Sequence, residues 1–214
     1  MHVELIDRLR CPAAHAESWL VAHADRSEDR RIIEGTLGCP VCQQEFRVTE
    51  GAAWMGDDEP VMVAAGVILD AEGALRLAAL LNVDDRGGLY VLGGTLSTVA
   101  AALVAFDTAR WILLSPPANV GAEATIRGAG DQLPLARGSV RGIAIDRPSA
   151  TLATAAAAAL AHGGRLVAPV GTELPHGMEE LARDADQWVA QKVAAFDATV
   201  LVTPRRAAPR TTHQ

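Results

Sequence analysis

Aromatic residues make up only 4% of the 214 positions. The interior must therefore be packed from Ala, Val, Leu and Ile rather than from rings. No apolar run approaches the roughly 20 residues that carry a helix across a bilayer, so no membrane partner is expected. The start, Met1-His2-Val3-Glu4-Leu5, lacks the basic opening and apolar stretch of a secretory leader. Three cysteines, an odd number, argue against a disulfide scaffold. The expectation is a cytoplasmic protein with reduced thiols. Positive charge is also short. A formal net charge of -7 and a pI of about 5.3 argue against direct nucleic-acid binding, because phosphates call for a basic surface. There is no G-x-S-x-G elbow, no Walker lysine loop and no G-x-G-x-x-G fingerprint with an acid about 20 residues on. Those absences argue against an α/β-hydrolase, a P-loop enzyme and a standard dinucleotide-binding protein.

What remains is a globular composition, 50% hydrophobic and 21% charged. The length suits one medium domain with a small module attached. Composition changes near residue 55: all the cysteines lie before it, and Ala, Leu, Val and Gly dominate after it. The boundaries expected are a module over 1–55, a linker over 56–64 containing Asp57-Asp58-Glu59-Pro60, a larger domain over 65–204, and a basic tail over 205–214 with Arg205, Arg206 and Arg210.

Within the larger domain, helical and strand patterns alternate. Residues 71–81 carry Leu75, Ala78, Ala79 and Leu81 at helical spacing. Leu89-Tyr90-Val91-Leu92 is an apolar strand ending in Gly93-Gly94, and 97–106 reads as a helix capped by Thr95 or Ser97. Further strands are expected at Trp111-Ile112-Leu113-Leu114, 123–126, 140–145 and 165–170. An Ala-rich helix is expected over 149–161, ended by Gly163-Gly164 with His162 as its terminal cap. Residues 178–183 read as a short helix, and 188–193 with 199–202 as a closing antiparallel hairpin. The fold class is therefore α/β, a Rossmann-like doubly wound, mostly parallel sheet preceded by a small β module. Such sheets bind ligands beyond the carboxyl ends of their strands.

Cys11 and His15, spaced by three residues, and Cys39 and Cys42, spaced by two, form a Cys/His set suited to tetrahedral zinc. A site closed by four protein ligands would be structural. Two other readings stay open: Cys39-Pro40-Val41-Cys42 as a redox pair, and a ribbon that keeps its shape without metal. His23 is a second candidate for the fourth ligand. His176, in Leu174-Pro175-His176-Gly177, falls near the expected ligand edge, and the four tryptophans, Trp19, Trp54, Trp111 and Trp188, read as packing anchors.

The segments Leu5-Ile6-Asp7-Arg8-Leu9-Arg10-Cys11-Pro12, Leu37-Gly38-Cys39-Pro40-Val41-Cys42 and Phe46-Arg47-Val48-Thr49-Glu50-Gly51 resemble the zinc ribbon of the small activator proteins of tRNA and translation-factor methyltransferases. In that family the first knuckle is Cys-Pro-x-Cys; here Ala14 stands in the second cysteine's place and His15 follows it. The remainder resembles a class I S-adenosylmethionine-dependent methyltransferase. The likeness rests on the element order, on Gly130-Asp131-Gln132-Leu133-Pro134-Leu135 before Gly138-Ser139-Val140, and on Ala161-His162-Gly163-Gly164-Arg165. By that resemblance Gly93, Gly94, Thr95, Ser115, Asp131 and Asp146 are the candidate cofactor-binding residues. The departures from the family are pronounced. After the first strand there is no acid, and Leu96 crowds the glycine loop. After the second, Ser115-Pro116-Pro117 offers no carboxylate for a ribose. The resemblance implies a methyltransferase-like protein that no longer catalyses and serves as a binding or scaffold module for a protein partner or as a homo-oligomer. The alternative is a divergent active methyltransferase.

Overall fold

The computed structural model describes residues 1–56, 69–118, 120 and 124–193. The linker beyond Gly56, the strand expected at 199–202 and the basic tail lie outside the described residues.

The chain opens with the short helix α1 (Val3–Ile6) and four strands, β1 (Val21–Glu28), β2 (Arg31–Gly38), β3 (Glu45–Thr49) and β4 (Ala52–Trp54). Helix α2 (Ala71–Leu80) follows, its first turn capped by Asp70, which accepts a hydrogen bond from the Gly73 amide. Then come β5 (Gly88–Gly93), a 3₁₀ helix over Gly94–Ala105, β6 (Ala109–Leu114), β7 (Thr125–Arg127) and β8 (Val140–Ala144). Helix α3 (Ala150–Ala159), β9 (Leu160–Pro169), β10 (Met178–Arg183) and β11 (Gln187–Lys192) complete the order.

All the strands join one 11-stranded sheet, ordered β1-β2-β3-β4-β7-β6-β5-β8-β9-β11-β10. From β4 to β9 the neighbours are parallel, and the pairs at both flanks are antiparallel. The central strands are apolar on both sides because both faces are covered. Tyr90 and Leu92 of β5 cluster with Leu77 of α2, Leu81 just beyond it and Leu103 of the 3₁₀ helix, whereas Val91 belongs with Leu152, Ala153 and Ala156 of α3. This is the period of two expected of a strand. The second cluster also contains Leu5, Leu9, Leu37, Phe46 and Val48, so one apolar core runs from the N-terminal strands to α3.

Three expectations change. Residues 178–183 form a strand, not a helix: they pair antiparallel with β11, which itself lies against β9. Strands β10 and β11 form an antiparallel hairpin at this end of the sheet, and the strand expected at 199–202 lies outside the described residues. The helix expected over 97–106 is a 3₁₀ helix over Gly94–Ala105. Ser97 Oγ and Thr98 Oγ1 donate to the carbonyls of Gly94 and Thr95, three residues back, and tighten that turn. Helix α3 stops at Ala159, so Gly163-Gly164 lies inside β9 and the exposed His162 caps nothing. The cation at that helix end is Lys192, whose Nζ donates to the Ala158 and Leu160 carbonyls at 3.2 and 2.7 Å.

Candidate functional site

The first site is built by two knuckles. In the second, Cys39 and Cys42 sit at the β2–β3 turn, where Cys39 N donates to Gln44 O and Gln43 N to Cys39 O, both at 2.9 Å. Gln43 takes a left-handed φ of 60° to make this bend. The first knuckle is held less regularly. Cys11 N donates to Ser18 O, and an isolated bridge joins Arg10 to Trp19. The Arg10 guanidinium lies 3.7 Å from the centre of the Trp19 ring and 3.3 Å from Glu17.

The fold brings Cys11, His15, Cys39 and Cys42 together with all ligand atoms within 4.8 Å of one another. Cys11 Sγ is 3.7 Å from Cys42 Sγ, and Cys39 Sγ is 3.4 Å from His15 Nε2. A tetrahedral zinc has sulfur–sulfur edges of about 3.8 Å and sulfur–nitrogen edges of roughly 3.5 Å, given bonds near 2.3 and 2.0 Å. The donor set therefore fits a metal ion. Nδ1 of His15 lies 2.6 Å from Ala16 O, which can only accept, so Nδ1 carries the proton and Nε2 presents its lone pair to the cluster. The hydrogen bond to Ala16 raises the His15 pKa. Burial pushes the Cys11 thiol up to about 11. Burial also acts upward on Cys39, but the Cys42 and Val41 amides directed at its sulfur outweigh it and bring it to about 6. His23 turns elsewhere, toward Asp25 at 3.4 Å, with its side chain 80% exposed.

The stretch leading into the first knuckle docks on the segment 133–136, just after the candidate cofactor residue Asp131. Arg10 N donates to Pro134 O, Ala136 N to Arg8 O, and Leu9 bridges Leu135. Leu133-Pro134-Leu135-Ala136 thus holds the N-terminal stretch 8–10 in place.

The second site is the carboxyl edge of the parallel strands. Strand β5 has β6 on one side and β8 on the other, so chain direction across the sheet reverses there and opens the crevice where α/β sheets take ligands. Gly93, Gly94 and Thr95 follow β5, Ser115 follows β6, Asp131 lies beyond β7, and Asp146 follows β8. The topology brings these candidates to one edge, where Thr95 and Asp146 engage one another and Asp131 is taken by Arg147. Asp146 Oδ2 accepts from the Thr95 amide at 2.6 Å and from Thr95 Oγ1 at 2.7 Å. Gly94 has φ +57, and a Cβ there would overlap the Asp146 carboxylate. Asp131 is paired with Arg147 at 3.3 Å, and Arg147 also donates to Gly130 O. The loop carrying Ser115 is strapped by Arg127, which donates to Pro116 O and Val120 O at 3.0 and 3.1 Å and lies 5.7 Å from the Trp54 ring. Ser115 itself has φ 47°, and its buried Oγ has no hydrogen-bond partner.

Tested against S-adenosylmethionine, this edge does not fit as it stands. The loop amide that would meet a ligand already holds a carboxylate, and the segment Leu114–Ala118 after β6 supplies no acid for a ribose. Sequence reasoning noted Asp146-Arg147-Pro148 as a polar cluster after its strand but missed Arg127 and the Thr95–Asp146 contact. His176 is exposed in the loop between β9 and β10.

No family model and no curated protein matches the chain. Among solved structures, the tRNA (m1A58) methyltransferase TrmI from Aquifex aeolicus is similar at 11% identity and a TM-score of 0.42, over 82% of this chain and 97% of that one. An RNA methyltransferase from Salinibacter ruber, in complex with S-adenosyl-L-homocysteine, is similar at 14% identity and a TM-score of 0.41, over 60% and 95%. The antibiotic-resistance methyltransferase Kmr is similar at 13% identity and a TM-score of 0.40, over 61% and 96%. Among the described residues no helix is long and apolar enough to cross a membrane.

Proposed function

We propose that the chain is a methyltransferase-like protein that has given up catalysis and acts as a cytoplasmic binding or scaffold module. In this reading residues 1–55 form a zinc-ribbon-like module and 65–204 the methyltransferase-like domain. The observation that carries the reading is the Thr95–Asp146 contact: the loop after the first central strand holds a carboxylate of the same chain. Sheet order supports the resemblance, with a parallel core, a switch point at β5 and a closing antiparallel hairpin. Zinc, held by Cys11, His15, Cys39 and Cys42, would cross-link the two knuckles and supply no chemistry, since four protein ligands leave no open position. What that cross-link fixes is the segment seated on Leu133-Pro134-Leu135.

Thermal unfolding with and without S-adenosylmethionine tests this. A ligand present at 100 times its dissociation constant stabilises by about 2.7 kcal/mol, which for a chain of this size raises Tm by roughly 5–10 °C. The reading expects no rise. A rise of that size supports the divergent active methyltransferase instead.

A further inference from the structure

We infer that the Cys/His cluster is a peroxide-sensitive switch: oxidation joins Cys11 to Cys42 and expels the metal ion, while the N-terminal stretch stays docked. The inference rests on the reading of Cys11, His15, Cys39 and Cys42 as zinc ligands and deepens it.

The three cysteines are not equivalent. Cys42 is exposed, Cys11 is half-buried and Cys39 is buried. Cys11 Sγ and Cys42 Sγ lie 3.7 Å apart. A disulfide is about 2 Å long, so closing this pair takes a movement of roughly 1–2 Å. Cys42, exposed at the β2–β3 turn, is the partner with room to make it. Cys39 is held out of this chemistry. It is only 3% exposed, and its sulfur lies 3.4 Å from His15 Nε2. Its backbone is tied at both ends, since its N donates to Gln44 O and its O accepts from Gln43 N.

An oxidant of the peroxide class therefore meets Cys42 first. With zinc bound, the cysteine sulfurs are thiolates. The Cys42 thiolate attacks one oxygen of hydrogen peroxide; the O–O bond breaks, hydroxide leaves, and Cys42 becomes a sulfenic acid. The Cys11 thiolate then attacks the Cys42 sulfur. The S–S bond forms, the S–O bond breaks and a second hydroxide leaves. Two electrons pass from the two thiolates to the peroxide, and two protons from solvent turn both hydroxides into water.

The ion is then left with Cys39 and His15, half of the ligands a closed structural site needs, and it departs. The tie does not. The disulfide joins the same two segments that the ion joined, the stretch after Arg10 and the β2–β3 turn, across 31 residues of chain. Arg10 N stays on Pro134 O, and Ala136 N on Arg8 O. A Cys39–Cys42 disulfide would do the opposite: it would close a loop inside one turn and free the first knuckle.

The test is hydrogen peroxide added to the full, zinc-loaded chain. Zinc release is read with a chromogenic chelator, disulfides are mapped by mass spectrometry after alkylation, and thermal unfolding is measured on the product. The inference expects one zinc released per chain, a Cys11–Cys42 disulfide, and Cys39 as the remaining alkylated thiol. The oxidised chain should unfold roughly 5 °C or more above the reduced chain stripped by chelator. A dithiol reductant with zinc should restore the starting state. Cys39→Ser should still form the Cys11–Cys42 bond, and mapping on the parent chain decides the pairing without any variant. A mapped Cys39–Cys42 bond, zinc retained in excess peroxide, or an oxidised chain that unfolds no higher than the stripped one overturns the inference. A chain that holds no zinc before peroxide is added overturns the metal-site reading itself, and that is read before any oxidant is present.

Discussion

Cys11 Sγ and Cys42 Sγ, 31 residues apart in the chain, lie 3.7 Å from each other, which is the edge of a metal tetrahedron and well beyond a disulfide bond. The pair ties the N-terminal segment to the β2–β3 turn. Because Cys11 follows directly on Leu9 and Arg10, which pair with Leu135 and Pro134, the same tie secures the N-terminal stretch against the segment before β8.

From this, the protein purified with zinc should contain one ion per chain by atomic emission, and Cys39→Ser should hold almost none. Stripping the metal should lower Tm by roughly 10 °C, given a free ion near 1,000 times its dissociation constant. Calorimetric scans with and without chelator measure this. Equal Tm values in both would mean that the ribbon keeps its shape without metal.

Strand patterning was legible in the sequence where chemistry and burial agree. Leu89-Tyr90-Val91-Leu92 and Trp111-Ile112-Leu113-Leu114 are uniformly apolar because helices cover both faces, and both became central strands. Residues 178–183 were not legible, since Met-Glu-Glu-Leu-Ala-Arg is made of good helix formers. Only pairing with β11 holds it extended, as an edge strand that is exposed beyond Met178. Gly163-Gly164 looked like a helix stop, yet Gly164 lies within β9, where a Cβ would come 3.0 Å from Arg141 O. The cysteine set was visible as spacing. The Thr95–Asp146 contact was not, because it joins residues 51 apart and depends on β5 lying beside β8.

At the opposite edge of the sheet, Asp84 accepts from Arg141 at 2.8 and 3.1 Å. The Arg141 guanidinium holds the Asp84 carboxyl below its ordinary value of 3.8, against a smaller effect of burial. A depressed folded pKa contributes stability that is present above the unfolded value and lost as pH falls through the folded one. Arg141→Met should therefore weaken the protein at neutral pH and flatten the acid limb of its stability curve below about pH 4. Thermal unfolding between pH 2 and pH 7, taken as roughly the span of carboxylate titration, checks this. Parallel curves for parent and variant would contradict it.

Trp188 on β11 is completely buried, and its Nε1 donates to Thr172 O at 3.0 Å. It anchors the closing hairpin against the loop after β9. Trp188→Ala should cost about 3–5 kcal/mol. Trp188→Phe keeps most of the apolar contact but leaves the carbonyl unpaired, and should cost about 1–3 kcal/mol. Urea unfolding of the two variants measures both. A cost below about 1 kcal/mol for the alanine variant would show that the hairpin does not pack as described.

The central claim is that the crevice at the head of β5 is closed by the chain's own carboxylate. Isothermal titration of the unmodified, folded protein with S-adenosylmethionine tests it most directly. The account predicts no saturable heat at high protein concentration. Micromolar one-to-one binding would contradict it and identify an open methyl-donor pocket.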